Sequence, residues 1–181
     1  MVNPWSYKST KNLLETRIFN ITEKNYLKPD GITPFNAYVI DTRHWVNIIA
    51  FNSKNEILME KQFRFGTNRI ELEIPGGIVE TNEDPLHAAQ RELEEETGYR
   101  SDHWEFLGVV DSNPAIFSNK CFTYVAYDVE STGQEKWDLD EDIEYFFKPA
   151  SEVRRDIREG RITHTFILAA FYWLALKTEL N

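Results

Sequence analysis

The sequence predicts a mixed α/β domain. Three observations carry this reading. Short apolar and β-branched runs recur between residues 35 and 147, one segment in the middle and two near the C-terminus carry helical spacing, and the two kinds of segment are interleaved along the chain. The length of 181 residues matches about one domain, and a domain of that size buries roughly 70% of its unfolded surface.

The elements follow in order. Up to Leu27 the chain is polar with scattered large side chains (Trp5, Tyr7, Leu14, Ile18, Ile21, Tyr26), and only Thr16–Ile21 reads as a strand. Lys28-Pro29-Asp30-Gly31 is a turn signal, because proline presets one turn position and glycine supplies the left-handed one. Phe35–Asp41, Trp45–Phe51 and Ile57–Phe63 read as strands, with a turn at Asn52–Asn55 between the last two. Ile70–Ile74 alternates apolar residues with Glu71 and Glu73, the pattern of a half-exposed strand, and Pro75-Gly76-Gly77 ends it.

The clearest helix comes next. Thr81 or Asn82 is placed to cap it, Glu83 and Asp84 suit its positive end, and Pro85 is tolerated in a first turn. Leu86, Ala89 and Leu93 recur at helical spacing, and Gly98 is the expected stop. Trp104–Val110 and Phe122–Val129 read as strands joined by the loop Asp111–Lys120. Ser131–Asp142 is polar and acidic and reads as a surface loop, and Ile143–Phe147 as a short strand. Ser151–Arg158 and Thr163–Lys177 read as helices, with Gly160 between them.

Several classes fall on composition. Thirty acidic against twenty basic side chains give a net charge of −10, the opposite of the basic surface that holds nucleic acid, so no nucleic-acid partner is expected. One cysteine, Cys121, makes neither an intrachain disulfide nor a Cys-rich zinc site, which fits a reducing compartment. Met1–Thr10 lacks the apolar core of a signal peptide. The most apolar run, Ile162–Leu176, is interrupted by Thr163, His164 and Thr165, is too short for a membrane span, and reads as a buried helix. The expectation is a soluble cytoplasmic protein with no membrane partner.

Part of the acidity is concentrated. Glu92, Glu95 and Glu96 stand at i, i+3 and i+4, which puts three carboxylates on one helical stripe, where like charges repel. A divalent cation among them removes the repulsion, and oxygen donors without thiolate or imidazole suit Mg²⁺ or Mn²⁺. Gly76-Gly77 just before the helix lets backbone approach an ion or a phosphate. Taken alone, such a cluster is more often a solvated acidic face. The longer pattern decides: Gly77, five residues, Glu83, seven residues, Arg91-Glu92-Leu93-Glu94-Glu95-Glu96-Thr97-Gly98-Tyr99. Seven fixed positions at roughly 6% each make a chance match on the order of 10⁻⁹.

This pattern matches the Nudix box at every charged and glycine position, and the chain resembles Nudix hydrolases; Tyr99 stands where the family more often has an aliphatic residue. The resemblance implies an α/β/α sandwich around a mixed β-sheet over residues 36–178, preceded by an N-terminal extension over 1–35. It implies cleavage of a nucleoside diphosphate linked to another group. Glu92, Glu95, Glu96 and the Gly76 carbonyl fall on metal-ligand positions. Glu83 and Arg91 fall on positions that support the loop and orient the ligands, and Gly77 belongs to the loop.

The surroundings of the box point to one branch. Pro114, fifteen residues after Tyr99, is a marker of the ADP-ribose pyrophosphatase branch, and Lys61-Gln62-Phe63-Arg64 with Glu73-Ile74-Pro75-Gly76-Gly77 resembles its strand and loop pair. The resemblance therefore implies a nucleoside diphosphate sugar as substrate, with ADP-ribose first. Arg64 is expected to bind a phosphate through its two-pronged guanidinium. Glu73 is expected to touch substrate or order the loop, and Arg43 to serve the nucleotide end. Trp5 and Tyr7 are candidates either for stacking on a base or for packing. In this branch N-terminal strands often swap across a dimer, so a homodimer is expected.

The reaction also needs a base for the attacking water. Glutamates holding metal are poor bases, and in the sugar-nucleotide branch the base often comes from a loop beyond the box. Glu141 is the first choice, with Asp140 and Glu144 behind it; the competing reading of this stretch is an ordinary acidic surface loop. Two further readings keep the box: another Nudix substrate (a nucleoside triphosphate, a dinucleoside polyphosphate or an RNA 5′ end), or a non-catalytic module that binds a nucleotide. An acidic interaction domain without a small-molecule site is the third.

Overall fold

The structure, a computed structural model, describes residues 1–133 and 142–179. The chain divides into two compact units, residues 1–43 with 111–120 and residues 44–110 with 121–181.

The first unit is a three-stranded antiparallel sheet. Strand β1 (Ser6–Glu15) pairs with β2 (Phe19–Leu27), which pairs with β3 (Pro34–Thr42). The expected strand Phe35–Asp41 lies within β3, and before it the sequence predicts only Thr16–Ile21, of which Phe19–Ile21 begins β2. The chain turns just ahead of β2: the Thr16 hydroxyl accepts from the Phe19 N–H at 3.0 Å, and the Thr16 N–H donates to the Phe19 carbonyl at 3.1 Å. The reason for the difference is visible in β1, all ten residues of which are exposed. A strand exposed on both faces is held by backbone pairing and carries no apolar alternation to read. Trp5 packs edge-on against Phe35 and Tyr7 against Tyr26. The 111–120 segment joins this unit through the Ile40 N–H to the Ile116 carbonyl at 2.7 Å, and Pro114 sits in a turn closed by the Phe117 N–H on the Asn113 carbonyl.

The second unit holds the rest. Its elements are β4 (Trp45–Ala50), β5 (Glu56–Arg64), β6 (Arg69–Glu73), α1 (Pro85–Thr97), β7 (Tyr99–Arg100), β8 (His103–Asp111), β9 (Lys120–Tyr127), β10 (Glu130–Ser131), β11 (Ile143–Pro149), α2 (Ala150–Arg158) and α3 (Thr165–Glu179). Strand β4 runs parallel to β9, which neighbours β8; β5 lies between β11 and β6, antiparallel to both. Short β7 and β10 pair beyond the end of α1.

The central strands are apolar on both faces, and alternate residues feed two different cores. Val46, Ile48 and Ala50 of β4, Leu58 of β5 and Tyr124 and Ala126 of β9 pack with Ala88, Ala89 and Leu93 of α1. Ile49, Ile57, Met59 and Val125 face the other way, onto Val153 of α2 and Ile167, Ala170 and Phe171 of α3. Strands buried on both sides, with helices on each, form the α/β/α sandwich expected. Gly108 of β8 is required by this packing, since a Cβ there would stand 2.6 Å from the Trp173 indole.

Two boundaries move. The cap of α1 is Asp84, whose Oδ1 accepts from the Leu86 N–H at 2.9 Å, with Pro85 as first helical residue; Thr81 and Asn82 are not the cap. The Glu83 side chain instead holds the Glu80 N–H at 2.8 Å, and Asn82 takes a left-handed turn with φ of 67°, so the loop makes one more turn before the helix starts. Helix α3 begins at Thr165 rather than Thr163, and the His164 carbonyl accepts its first bond from the Leu168 N–H at 3.0 Å. Gly98 stops α1 as expected, with φ of 66° and its N–H on the Glu94 carbonyl.

Asp156 also carries a buried ion cluster. Its carboxylate is 2% exposed and pairs with Lys148 and with Arg161 Nε at 2.8 Å. Burial alone would raise its pKa, but the Lys148 and Arg161 hydrogen bonds lower it below the ordinary carboxylate value. A depressed folded-state pKa stabilises above the unfolded pKa and is lost as pH falls through the folded one. Asp156→Asn is therefore expected to cost about 3 kcal/mol at pH 7. Urea unfolding of both proteins should show that gap narrowing below about pH 4, near the unfolded carboxylate pKa.

Candidate active site

The site is built on the loop that leaves β6 and on α1. Pro75 and Gly77 present their carbonyls to β4, accepting from the Ile48 and Val46 N–H groups at 2.8 and 2.9 Å. Alternation then directs the N–H and carbonyl of Gly76 away from β4. The Gly76 N–H meets Glu96 Oε2 of α1 at 3.0 Å, so the Gly76 carbonyl is turned to the same side. A side chain at position 76 would collide with the Val46 carbonyl and stand 2.9 Å from Asn47 Cα. At position 77 it would collide with the Glu92 carboxylate. Both glycines are needed for space, and the second leaves room for a functional side chain.

Arg91 is the hub of the acidic stripe. Its Nε and Nη2 hold the two oxygens of Glu83 at 3.0 Å each. Its Nη1 donates to Glu92 Oε1 at 2.8 Å and Glu95 Oε2 at 2.9 Å, and Nη2 also reaches the Ile78 carbonyl at 2.9 Å. Glu92 Oε1 further accepts from the Ile78 N–H at 3.2 Å. One planar cation thus ties the loop to three carboxylates. The Arg91 pKa is raised, first by the Glu83 hydrogen bonds, and Glu83 is correspondingly lowered by Arg91. Glu96 is buried, while Glu95 remains partly exposed.

A second charged group adjoins the loop. Arg64 at the end of β5 forms a two-pronged pair with buried Glu73 of β6, at 2.9 and 2.8 Å. Burial would lower the Arg64 pKa, but the Glu73 hydrogen bonds and the nearby charges of Glu73, Glu96 and Glu60 raise it. Glu60 stands opposite Glu73 in the strand register and is itself buried. Arg64 and Glu73, with Gly76 and Gly77, line a cavity of about 330 Å³ whose other walls include Trp45, Asn47, Cys121, His164 and Phe166. Burial pushes the Cys121 thiol up to about 12, which leaves it unreactive as a nucleophile.

The structure thus brings Gly76, Gly77, Glu83, Arg91, Glu92, Glu95 and Glu96 into one assembly and sets Arg64 and Glu73 beside it. Arg43 belongs to the first unit, where its carbonyl accepts from Asn119 Nδ2 and it lines a hollow with Arg17 and Asp41. Glu144 is exposed and paired with Lys61 at 2.9 Å. Glu141 and Asp140 lie outside the described residues. Sequence reasoning missed Glu60, Asn47 and His164. The available signal for the first two was a polar residue inside an otherwise apolar strand, which calls for a partner.

The stripe fits a hard divalent cation. Three carboxylates surround one guanidinium, an excess of negative charge on oxygen donors, and the Gly76 carbonyl is turned to their side. Among the described residues no group of three His, Cys, Asp or Glu side chains stands ready as a metal cluster, and Arg91 bridges Glu92 and Glu95. Among the described residues no helix is long and apolar enough to cross a membrane.

Comparison with known proteins agrees with this geometry. The NUDIX domain profile matches residues 42–166. The chain is 31% identical to the methanol dehydrogenase activator of Bacillus methanolicus over 176 residues, covering 95% of this chain and 93% of that protein. It is 36% identical to the ADP-ribose pyrophosphatase of Bacillus subtilis over 138 residues, covering 75% and 74%. A crystal structure of an ADP compounds hydrolase superposes with a TM-score of 0.87 at 19% identity, covering 99% of this chain and 96% of that one, and shares its fold.

Arg91→Ala removes the counter-charge of Glu83, Glu92 and Glu95 together. Because the guanidinium is partly exposed, the expected cost is about 2 kcal/mol, a fall in Tm of about 5 °C in metal-free buffer. Arg91→Lys should recover less than half of it, since an ammonium cannot reproduce five hydrogen bonds in one plane. Calorimetry of the three proteins measures both differences.

Proposed function

Because the chain belongs to the Nudix family, we propose that it hydrolyses the pyrophosphate bond of nucleoside diphosphate sugars, giving a nucleoside monophosphate and a sugar phosphate. The observation that carries this reading is the continuity of the Arg91-braced carboxylate stripe, through Gly76 and Gly77, with the cavity that Arg64 lines. The names of several relatives, ADP-ribose pyrophosphatases from bacteria and yeast and the ADP-sugar pyrophosphatase of mouse, support ADP-ribose as first substrate.

In this reading Glu92, Glu95, Glu96 and the Gly76 carbonyl would hold Mg²⁺, with Mn²⁺ as a substitute. Such an ion would supply Lewis-acid activation of water and offset of phosphate charge. Arg91 keeps the carboxylates in register before substrate arrives, and Glu83 fixes Arg91. Arg64, oriented by Glu73, offers its guanidinium to a phosphate oxygen. Glu141 accepts the proton of the attacking water. The protein works as a cytoplasmic homodimer in which the exposed first sheet contributes to pairing, and Arg43 serves the nucleotide end.

The length-wide match to the methanol dehydrogenase activator favours one additional reading, in which the same hydrolytic site serves a dehydrogenase. Adding the protein to the Bacillus methanolicus methanol dehydrogenase should then raise alcohol turnover, and Glu95→Gln should abolish the effect.

Incubation with ADP-ribose and with GDP-, UDP- and CDP-sugars in ¹⁸O water and millimolar Mg²⁺ tests the main reading. Release of AMP and ribose 5-phosphate is expected, and it should stop with a chelator. Glu95→Gln should lower kcat by at least ~10³-fold with the circular dichroism spectrum unchanged. Glu141→Gln should lower it ~10²-fold or more, and near-full activity in that variant would remove Glu141 as the base.

A further inference from the structure

The cavity beside the carboxylate stripe has a part that phosphate chemistry does not use. Beyond Arg64, Glu73, Gly76 and Gly77 it runs along β4 to the N-terminal end of α3, where Trp45, Asn47, His164 and Phe166 form its wall. Trp45 and Asn47 are two apart on one strand and therefore share a face. His164 sits at the start of α3, its carbonyl accepting from the Leu168 N–H at 3.0 Å.

Two residues of this wall each carry a buried polar atom without a hydrogen-bond partner among the described residues: Asn47 Oδ1 and His164 Nδ1. Asn47 is 6% exposed, and its amide is fixed in orientation because Nδ2 donates to the Phe166 carbonyl at 3.0 Å. Its oxygen is thus a committed acceptor. A buried polar group left unmet costs about 1–3 kcal/mol, and two in one cavity are matched by a ligand that brings hydrogen-bonding groups to both. Asn47 Oδ1 only accepts, whereas a neutral imidazole nitrogen donates or accepts according to tautomer. A hydroxyl does both, so a pair of hydroxyls satisfies this wall in either tautomer.

The aromatic pair argues against a nucleobase here. The Trp45 and Phe166 ring centroids are 5.3 Å apart with planes at 60°. Touching aromatic rings lie about 4.5–7 Å apart, so these two contact each other and leave no slot between them for a flat base. Their tilted planes make a corner. The wall carries no side chain of fixed charge beyond Arg64 and Glu73, which suits a neutral polyol joined to the phosphates at the cavity mouth.

We propose that this cavity is the sugar subsite and that Asn47 and His164 determine specificity by binding hydroxyls of the sugar attached to the nucleoside diphosphate. The assignment rests on the hydrolase reading above. Asn47 Oδ1 accepts from one hydroxyl, His164 Nδ1 bonds a neighbouring one, and the Trp45–Phe166 corner packs against the ring carbons.

The test compares kcat/KM for ADP-ribose and for the ethyl ester of ADP, which has the same pyrophosphate link and no sugar hydroxyls at that end. In wild type ADP-ribose should be preferred by ~100-fold or more, and Asn47→Leu should cut kcat/KM for ADP-ribose ~10–100-fold while leaving the ethyl ester within ~3-fold. His164→Phe, at a half-buried position just before α3, should cut ADP-ribose ~10-fold with the same selectivity, and it decides the matter alone if Asn47→Leu does not fold. Equal losses on both substrates, or no loss on ADP-ribose, overturn the subsite while hydrolysis stands. Failure of the wild type to cleave either compound overturns the hydrolase reading and this assignment with it.

Discussion

One guanidinium makes the rest of the site possible. Helix α1 places Glu92, Glu95 and Glu96 on one stripe, an arrangement that repels itself. Arg91 lies within that stripe and spends its five hydrogen bonds on Glu83, Glu92, Glu95 and the Ile78 carbonyl. It lets a helix carry clustered charge, and it fixes the loop against the helix at the same time. Everything functional nearby inherits its position from that contact. Gly77 is small because Glu92 is held there, and Gly76 faces α1 because Glu96 takes its N–H.

The strand layout supplies the complementary constraint. Because β4 is buried on both faces, its even residues serve the α1 core and its odd residues look to α3. The loop from Pro75 to Gly77 pairs with this same strand. The carboxylate stripe and the cavity wall are therefore two sides of one piece of backbone. A polar side chain on the odd face, Asn47, donates to the first turn of α3 and lines the same cavity as Gly76 and Gly77.

Much of this was legible in the residues. The box spacing located the stripe, the loop and the helix stop at Gly98, because charge and glycine requirements are tied to fixed positions. The interleaved apolar runs point to a mixed α/β domain, and the sandwich follows from the resemblance that the box carries. The N-terminal hairpin was not legible, since β1 is held by main-chain bonds that any sequence can make, and its ten exposed residues carry no pattern. The cap of α1 was misplaced by two or three residues because Glu83 spends its carboxylate on Arg91 and on the Glu80 N–H, a use that only the fold reveals. Asn47 and His164 are far apart in sequence and meet only where β4 faces α3, so no local spacing announces them.

The Lys148–Asp156–Arg161 cluster has a second role by virtue of where it lies. Asp156 holds Arg161 through both its side chain and its carbonyl, and three residues later the chain reaches His164 and then Phe166. Arg69 of β6 reaches the same stretch through the Thr163 hydroxyl at 3.0 Å. The recognition wall is thus moored at two points by ionic side chains rather than by the apolar core alone. Because, against its burial, the hydrogen bonds of Lys148 and Arg161 hold the Asp156 carboxyl below its ordinary range, this mooring keeps its charge through mild acid and gives way only in strong acid.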